Sequence, residues 1–252
     1  MFKLNSRAFI LIIFFSLVGH AQTQAQIYTI GVENIKYLPY YDHENNEEYI
    51  GFARDILDMF AKHGGYSFVY EVLPLNRLRN DFLDKKIDFK FPDNPYWKSE
   101  RRVGVNINYS EPVVGFIDGL MVLPENKGKS ESALKNIGVV AGFTPWSYFD
   151  LIESGKISVT ENESVTGILK QVINNRIDGS YLNVSVAKYQ LSETLKLDHA
   201  LVFDPDLPHT KSSYYFSSIK HPGVIKEFNR FLVSQKVEID KLKKKYEIDI
   251  IE

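Results

Sequence analysis

The chain has 252 residues, 44% hydrophobic and 25% charged, with 30 Lys and Arg against 32 Asp and Glu. That length and composition can bury one large core or two modest ones, and the charge balance lacks the basic excess of a nucleic-acid reader. There is no cysteine, which excludes disulfide scaffolding, thiolate metal sites, cysteine nucleophiles and a Cys-linked lipid.

Lys3 and Arg7 precede an apolar run over 8–18 (AFILIIFFSLV), and small residues follow at Gly19, Ala21 and Ala25. Positive charge, a short apolar stretch and small residues, in that order, predict a secretory leader over 1–25 that is cleaved after Ala21 or Ala25. The run is too short to span a bilayer. The remaining chain is expected to be an exported, soluble, periplasmic protein without a lipid anchor.

Beyond the leader, strands and helices alternate. IYTIGV over 27–32 predicts a first strand. The segment 51–63 places Phe52, Ile56, Leu57 and Phe60 on one helical face and is stopped by Gly64 and Gly65. An alternating strand over 67–72, a helix over 75–86 and a short strand over 87–91 come next. A second set opens near Asp118 with the strand DGLMVL and continues with IGVVA over 137–141. A helix is expected to start at Thr144 and Pro145, an N-cap followed by a first-turn proline. An amphipathic helix over 164–175, a strand over 213–218 and two C-terminal helices over 222–235 and 237–246 complete the order. Such βαβ alternation predicts an α/β protein with largely parallel sheets. The segments Asp84-Lys85-Lys86-Ile87-Asp88 and Asn175-Arg176-Ile177-Asp178 each end a helix and open a strand. Their recurrence points to two similar lobes.

Six short segments, in order, resemble the bacterial periplasmic solute-binding proteins of family 3, the amino-acid type. Ile30-Gly31-Val32-Glu33 with Tyr37-Leu38-Pro39-Tyr40 is similar to that family's "IGVD…YPPF", and Gly51-Phe52-Ala53-Arg54-Asp55-Ile56 to its "GFDVDL". Lys85-Lys86-Ile87-Asp88 stands for "GKYD", Tyr109-Ser110-Glu111-Pro112 for "FSDPY", and Val140-Ala141-Gly142-Phe143-Thr144 for "VQAGTT". His221-Pro222 and Lys243-Lys244-Lys245-Tyr246 resemble the C-terminal helices. The resemblance implies a two-lobed Venus flytrap fold crossed twice by the chain near 116–119 and 205–209. Lobe one would combine 27–116 with 208–252, and lobe two would be 117–207. It also implies a small polar solute, amino acid or amino-acid-like, clamped between the lobes without cofactor or catalysis. A monomer would deliver that solute to a membrane ABC permease, or present it to a membrane receptor.

Carried onto this chain, the family's carboxylate-gripping arginine falls at Arg101, with Arg102 as its neighbour, and the serine positions before it have become Asp93, Asn94 and Pro95. The family's ammonium-binding aspartate falls at Asn183, an amide, so Asp93 is a candidate replacement from the other lobe. Thr144 belongs to the lobe-two loop. Tyr37, Tyr40, Trp97 and Trp146 are placed to line a cleft as aromatic walls, and Arg77 follows Pro74 in a "P-x-x-R" opening. An enzyme of lyase type on the same fold is the rival, with Asp93, Glu100 and Glu33 as its acid–base candidates. The five histidines after the leader, 43, 63, 199, 209 and 221, have no metal-ligand spacing.

Overall fold

A computed structural model describes residues 26–44 and 48–248; the expected leader lies outside them. The first strand, β1 (Gln26–Glu33), is followed by a small hairpin, β2 (Asp42–Glu44) and β3 (Glu48–Ile50), and by α1 (Phe52–Gly64), β4 (Tyr66–Leu73), α2 (Leu75–Leu83) and β5 (Phe89–Asp93). After β6 (Asn108–Tyr109) comes the long strand β7 (Val114–Val122). Then follow β8 (Asn136–Val140), α3 (Phe149–Glu153), β9 (Ser158–Asn162), α4 (Val165–Ile173), β10 (Gly179–Asn183) and α5 (Val184–Tyr189). The chain closes with β11 (Val202–Phe203), β12 (Thr210–Ser218), α6 (Pro222–Ser234) and α7 (Lys236–Lys245).

Among the described residues one sheet runs β4-β1-β5-β12-β7-β10-β8-β9. On one side β1 pairs in parallel with β4 and β5, and on the other β8 pairs in parallel with β9 and β10. The two sides meet at the antiparallel pair β7–β12, in register from Val114 against Tyr214 to Asp118 against Thr210. Beyond Tyr214, β12 turns to pair with β5 instead, and beyond Asp118, β7 pairs with β10. These two strands therefore join the halves of a two-lobed α/β fold. The second join begins at Thr210, one residue past the expected crossing at 205–209.

The sequence echo is a structural repeat. Lys85 and Asn175, at matching positions, take left-handed backbone angles of 60° and 56° and close their helices. Asp88 then accepts a hydrogen bond from the Thr29 amide at 2.8 Å, and Asp178 accepts one from the Asn136 amide at 2.8 Å. Each thereby ties the start of its lobe's own strand. A Cβ on Gly31 would stand 2.2 Å from Ile87 and 2.5 Å from Leu78, and one on Gly138 would stand 2.5 Å from Ile177 and 3.0 Å from Ile168. In each half a bare strand position lets the helix lie flat on the sheet, which is why glycine stands at both places.

The apolar face of α1 (Phe52, Ile56, Leu57, Phe60) is fully buried, and Phe60 packs against Phe228 of α6 with ring centroids 4.9 Å apart. Helix α7 returns to the same side, where Lys245 Nζ and Tyr246 Oη both donate to Asp55, at 2.7 and 2.8 Å. The helix expected from Thr144 differs. Residues Trp146–Tyr148 form one 3-10 turn and only then does the short α3 begin, so Thr144 stays in the loop as part of a cleft wall.

Candidate functional site

The C-terminal ends of β1, β5, β8 and β10 face one another across a cleft of about 670 Å³, its open mouth included. This is where α/β sheets place ligands, because the loops leaving those ends diverge around a gap. From one half come Glu33 at the end of β1, Tyr37 and Tyr41 in the loop after it, Leu75 and Arg79 on α2, Lys90 on β5, Trp97 and Lys98 beyond it, and Tyr214 on β12. From the other come Asp118 on β7, Gly142, Phe143, Thr144 and Trp146 after β8, and Tyr181 and Leu182 on β10.

Two carboxylates face this space. Glu33 is buried and accepts a 2.6 Å hydrogen bond from Tyr41 Oη. Burial raises its pKa, while Lys90 and the Tyr41 hydroxyl hold the rise back. Asp118 has no hydrogen bond or ion pair from its carboxylate among the described residues, and burial pushes its pKa up to about 7. Around it stand three phenols. Its charge contributes to the raised pKa of Tyr37, Tyr181 and Tyr214, in each case after burial itself.

Cations gather around Glu33, away from Asp118. Lys90 is 2% exposed, donates to Asp93 Oδ1 at 2.7 Å, and holds its ammonium 5.5 Å from the Trp97 ring centre. Arg79 reaches across the cleft to donate to the Gly142 carbonyl at 3.2 Å, and also bonds Asn76 Oδ1 at 3.0 Å. Burial lowers its pKa, and the nearby Arg101 and Arg102 add to that against the pull of Glu33. A smaller adjoining pocket shares Arg79, Lys90 and Lys98 and adds Arg101 and Arg102. Besides Arg79–Gly142, the halves touch where Tyr37 meets Phe143 edge-on at 5.6 Å and where the Asn183 amide donates to Tyr37 Oη at 3.4 Å.

Of the residues expected from sequence, Tyr37, Trp97, Thr144 and Trp146 stand in the cleft wall. The other six stand elsewhere. Tyr40 is buried beneath it, edge-on to Tyr214 at 5.1 Å. Arg77 points outward, its side chain 65% exposed, and pairs with Asp81 one helical turn on. Two residues further along α2 the helix has turned by more than half a revolution, which brings Arg79 inward instead. Asp93 is fully buried, and its carboxylate is filled by Lys90, by Arg102 at 2.9 Å and by the Ser217 hydroxyl at 2.7 Å. Burial alone would raise its pKa, yet the two cations hold it below the ordinary value. Asn94 pins its loop to β12, donating to Ser212 Oγ and the Ser213 carbonyl, both at 2.9 Å. Arg101 lies exposed outside the main cleft, while Arg102 is spent on Asp93. Asn183 is fully buried as the N-cap of α5. Its Oδ1 accepts from the Ser185 and Val186 amides at 2.9 and 3.2 Å, and its Nδ2 donates to Tyr214 Oη at 3.2 Å.

The residues that sequence reading passed over are Arg79, Lys90 and Asp118 as cleft groups. Two of them carried a signal: Lys90 lies inside the wholly buried strand FKFPD, and Asp118 interrupts the mostly apolar GFIDGLMV. A charge in such a strand must be paired or face a cavity.

No protein-family model matches the chain, and no curated protein matches it. Solved structures do. An ancestral amino-acid-binding protein, a precursor of cyclohexadienyl dehydratase, aligns at 22% identity and TM-score 0.68 over 87% of this chain and 95% of its own. An arginine transport-system periplasmic binding protein from Legionella pneumophila aligns at 18% identity and TM-score 0.66, over 88% and 100%. An ancestral arginine-binding protein bound to arginine aligns at 18% and 0.70, over 87% and 97%. At these identities the likeness is one of fold, the two-lobed fold of periplasmic binding proteins.

Proposed function

We propose that this chain is an extracytoplasmic solute-binding protein of the family 3 type, which clamps a small amino-acid-like solute between two lobes for delivery to a membrane ABC transporter. In this reading lobe one combines 27–116 with 208–252, lobe two is 117–207, the leader 1–25 directs export, and the chain acts as a monomer without catalysis of its own. The observation that supports it most is the cleft itself. Both halves contribute to it, aromatic rings line it, and charges of both signs stand in its wall.

Each feature has a physical role in such a protein. Trp97, Trp146, Tyr37 and Phe143 exclude water from the apolar part of a solute and give its polar groups a low-dielectric surrounding. Arg79, Lys90 and Lys98 favour an acidic group, Arg79 with a fork suited to two carboxylate oxygens. Groups from both halves on one solute convert its binding energy into closure of the lobes, which is what a transporter can read. The bond from Arg79 to the Gly142 carbonyl, which joins the two halves, supports this reading.

A thermal-shift screen of the leader-less chain against amino acids, polyamines, sugars and organic acids tests the proposal. A ligand of the folded state at a hundredfold excess over its Kd stabilises by about 2.7 kcal/mol, so the true solute class stands out. Stabilisation by amino acids without product formation on prolonged incubation is the expected result. A shift with none of these classes, or turnover of the bound compound, would overturn it.

A further inference from the structure

We infer that Asp118 is the group that selects a cationic nitrogen in the solute, so that the solute taken by this cleft carries an ammonium at the β7 end and an acidic group at the α2 end. The inference rests on the solute-binding reading and names the residue that sets its specificity. Asp118 lies on the strand that joins the halves, directly opposite Asn183 of β10 and Thr210 of β12. Its carboxylate opens to the cleft and has no partner among the described residues.

The neighbours of Asp118 explain why a cation suits it. The titratable groups that face it are Tyr37 from the loop after β1, Tyr181 from β10 and Tyr214 from β12, all phenols that stay neutral near pH 7. Tyr181 Oη is bonded to Thr210 Oγ1 at 2.8 Å, and Tyr37 and Tyr214 each accept a bond from Asn183. No Lys, Arg or His adds to these. A carboxylate so surrounded is poorly solvated and uncompensated until a cation arrives, and tyrosine faces beside it favour one further. Elsewhere the wall carries the cations Arg79, Lys90 and Lys98, the first two acting on Glu33, whose carboxylate Tyr41 already holds. Asn183 is engaged with its own fold. Its amide oxygen caps α5 and its nitrogen holds Tyr214. The negative charge of this wall therefore sits on β7, one strand over from the asparagine.

A proton links to the same event. In the empty cleft Asp118 takes up a proton near neutral pH, and a bound ammonium displaces it. Binding at pH 6 should thus release close to one proton, and binding at pH 8.5 almost none.

Calorimetric titration tests this with the twenty amino acids and, for the tightest, its 2-hydroxy acid counterpart, on wild type and Asp118→Asn. Repeating the wild-type titration in two buffers of different ionisation enthalpy counts the protons. Asparagine is isosteric and removes a half-buried charge, so the variant is expected to fold, and an unchanged far-ultraviolet spectrum verifies it. The amino acid should bind wild type at least about thirtyfold more tightly than the variant, while the 2-hydroxy acid should bind both within about threefold. If wild type binds no amino acid, the solute-binding proposal falls and the assignment with it. If wild type binds an amino acid but the variant binds it equally well, or the hydroxy acid binds wild type as tightly, the assignment alone is overturned. Pointing the same way is the absence of proton release at pH 6.

Discussion

Replacing Asp118 by asparagine should stabilise the empty protein, and by an amount that depends on pH in one direction. The folded protein holds the Asp118 proton more tightly than the unfolded chain does, since its pKa rises from 3.8 to about 7 on burial. A carboxyl shifted upward costs nothing at low pH, where both states are protonated. The cost grows as pH climbs past the unfolded value and is complete above about 7. At 1.36 kcal/mol per pH unit the full penalty is about 4 kcal/mol, and water in the open cleft screens it to roughly 2–4 kcal/mol. The amide carries no such penalty. Urea denaturation of wild type and Asp118→Asn at fixed pH from 4 to 8.5 measures it, with other titrations cancelling in the difference. The two should be nearly equal at pH 4 and separate progressively, the variant being more stable by about 2–4 kcal/mol at pH 8 with an unchanged urea slope. A gap that stays constant between pH 4.5 and 8.5 would refute the placement of this carboxyl, as would a variant that is less stable at pH 8.

Three further substitutions separate the roles assigned to individual side chains. Asp93→Asn leaves the buried Lys90 and the half-buried Arg102 without their counter-ion and should cost about 3–5 kcal/mol in urea denaturation, well beyond the effect of a surface carboxylate. Arg79→Ala removes a cleft cation and the bond to Gly142, so affinity for an acidic solute should fall by about 1.5–3 kcal/mol by calorimetry, while Arg77→Ala, whose partner Asp81 is a neighbour on the helix, should change it by less than about 0.5 kcal/mol. Asn183→Ala should lower stability by about 1–2 kcal/mol through the lost cap on α5, read as a drop in the thermal midpoint of the empty protein.

Much of the framework is legible in the sequence because local periodicity encodes it. The stripe Phe52, Ile56, Leu57 and Phe60 becomes the buried face of α1, and the repeated Lys-Ile-Asp and Arg-Ile-Asp junctions become matching helix ends in the two halves. The strands that join the halves are harder to read. β12 runs TKSSYYFSS, without the alternation of a one-sided strand, because it changes partners from β7 to β5 along its length. The cleft wall is legible in part. Tyr37, Trp97, Thr144 and Trp146 reach the cleft since each follows the C-terminal end of a sheet strand. Arg77 and Arg79 cannot be told apart until the helix phase is fixed, and Asp93 is claimed by cations that arrive from Lys90 and Arg102. Counting along β10 leads to Asn183, but the carboxylate opposite it belongs to β7, 65 residues earlier in the chain. Proximity across a strand pair leaves no trace in spacing.

Both tryptophans of the chain, Trp97 and Trp146, stand in the cleft wall. Titrating the protein from residue 26 onward with amino acids while following tryptophan emission is therefore the most direct test of solute binding between the lobes. The prediction is a saturable change that breaks at one equivalent for the tightest amino acid and is much weakened in Arg79→Ala. Emission that stays unchanged with every amino acid, or a change that does not saturate, would contradict it.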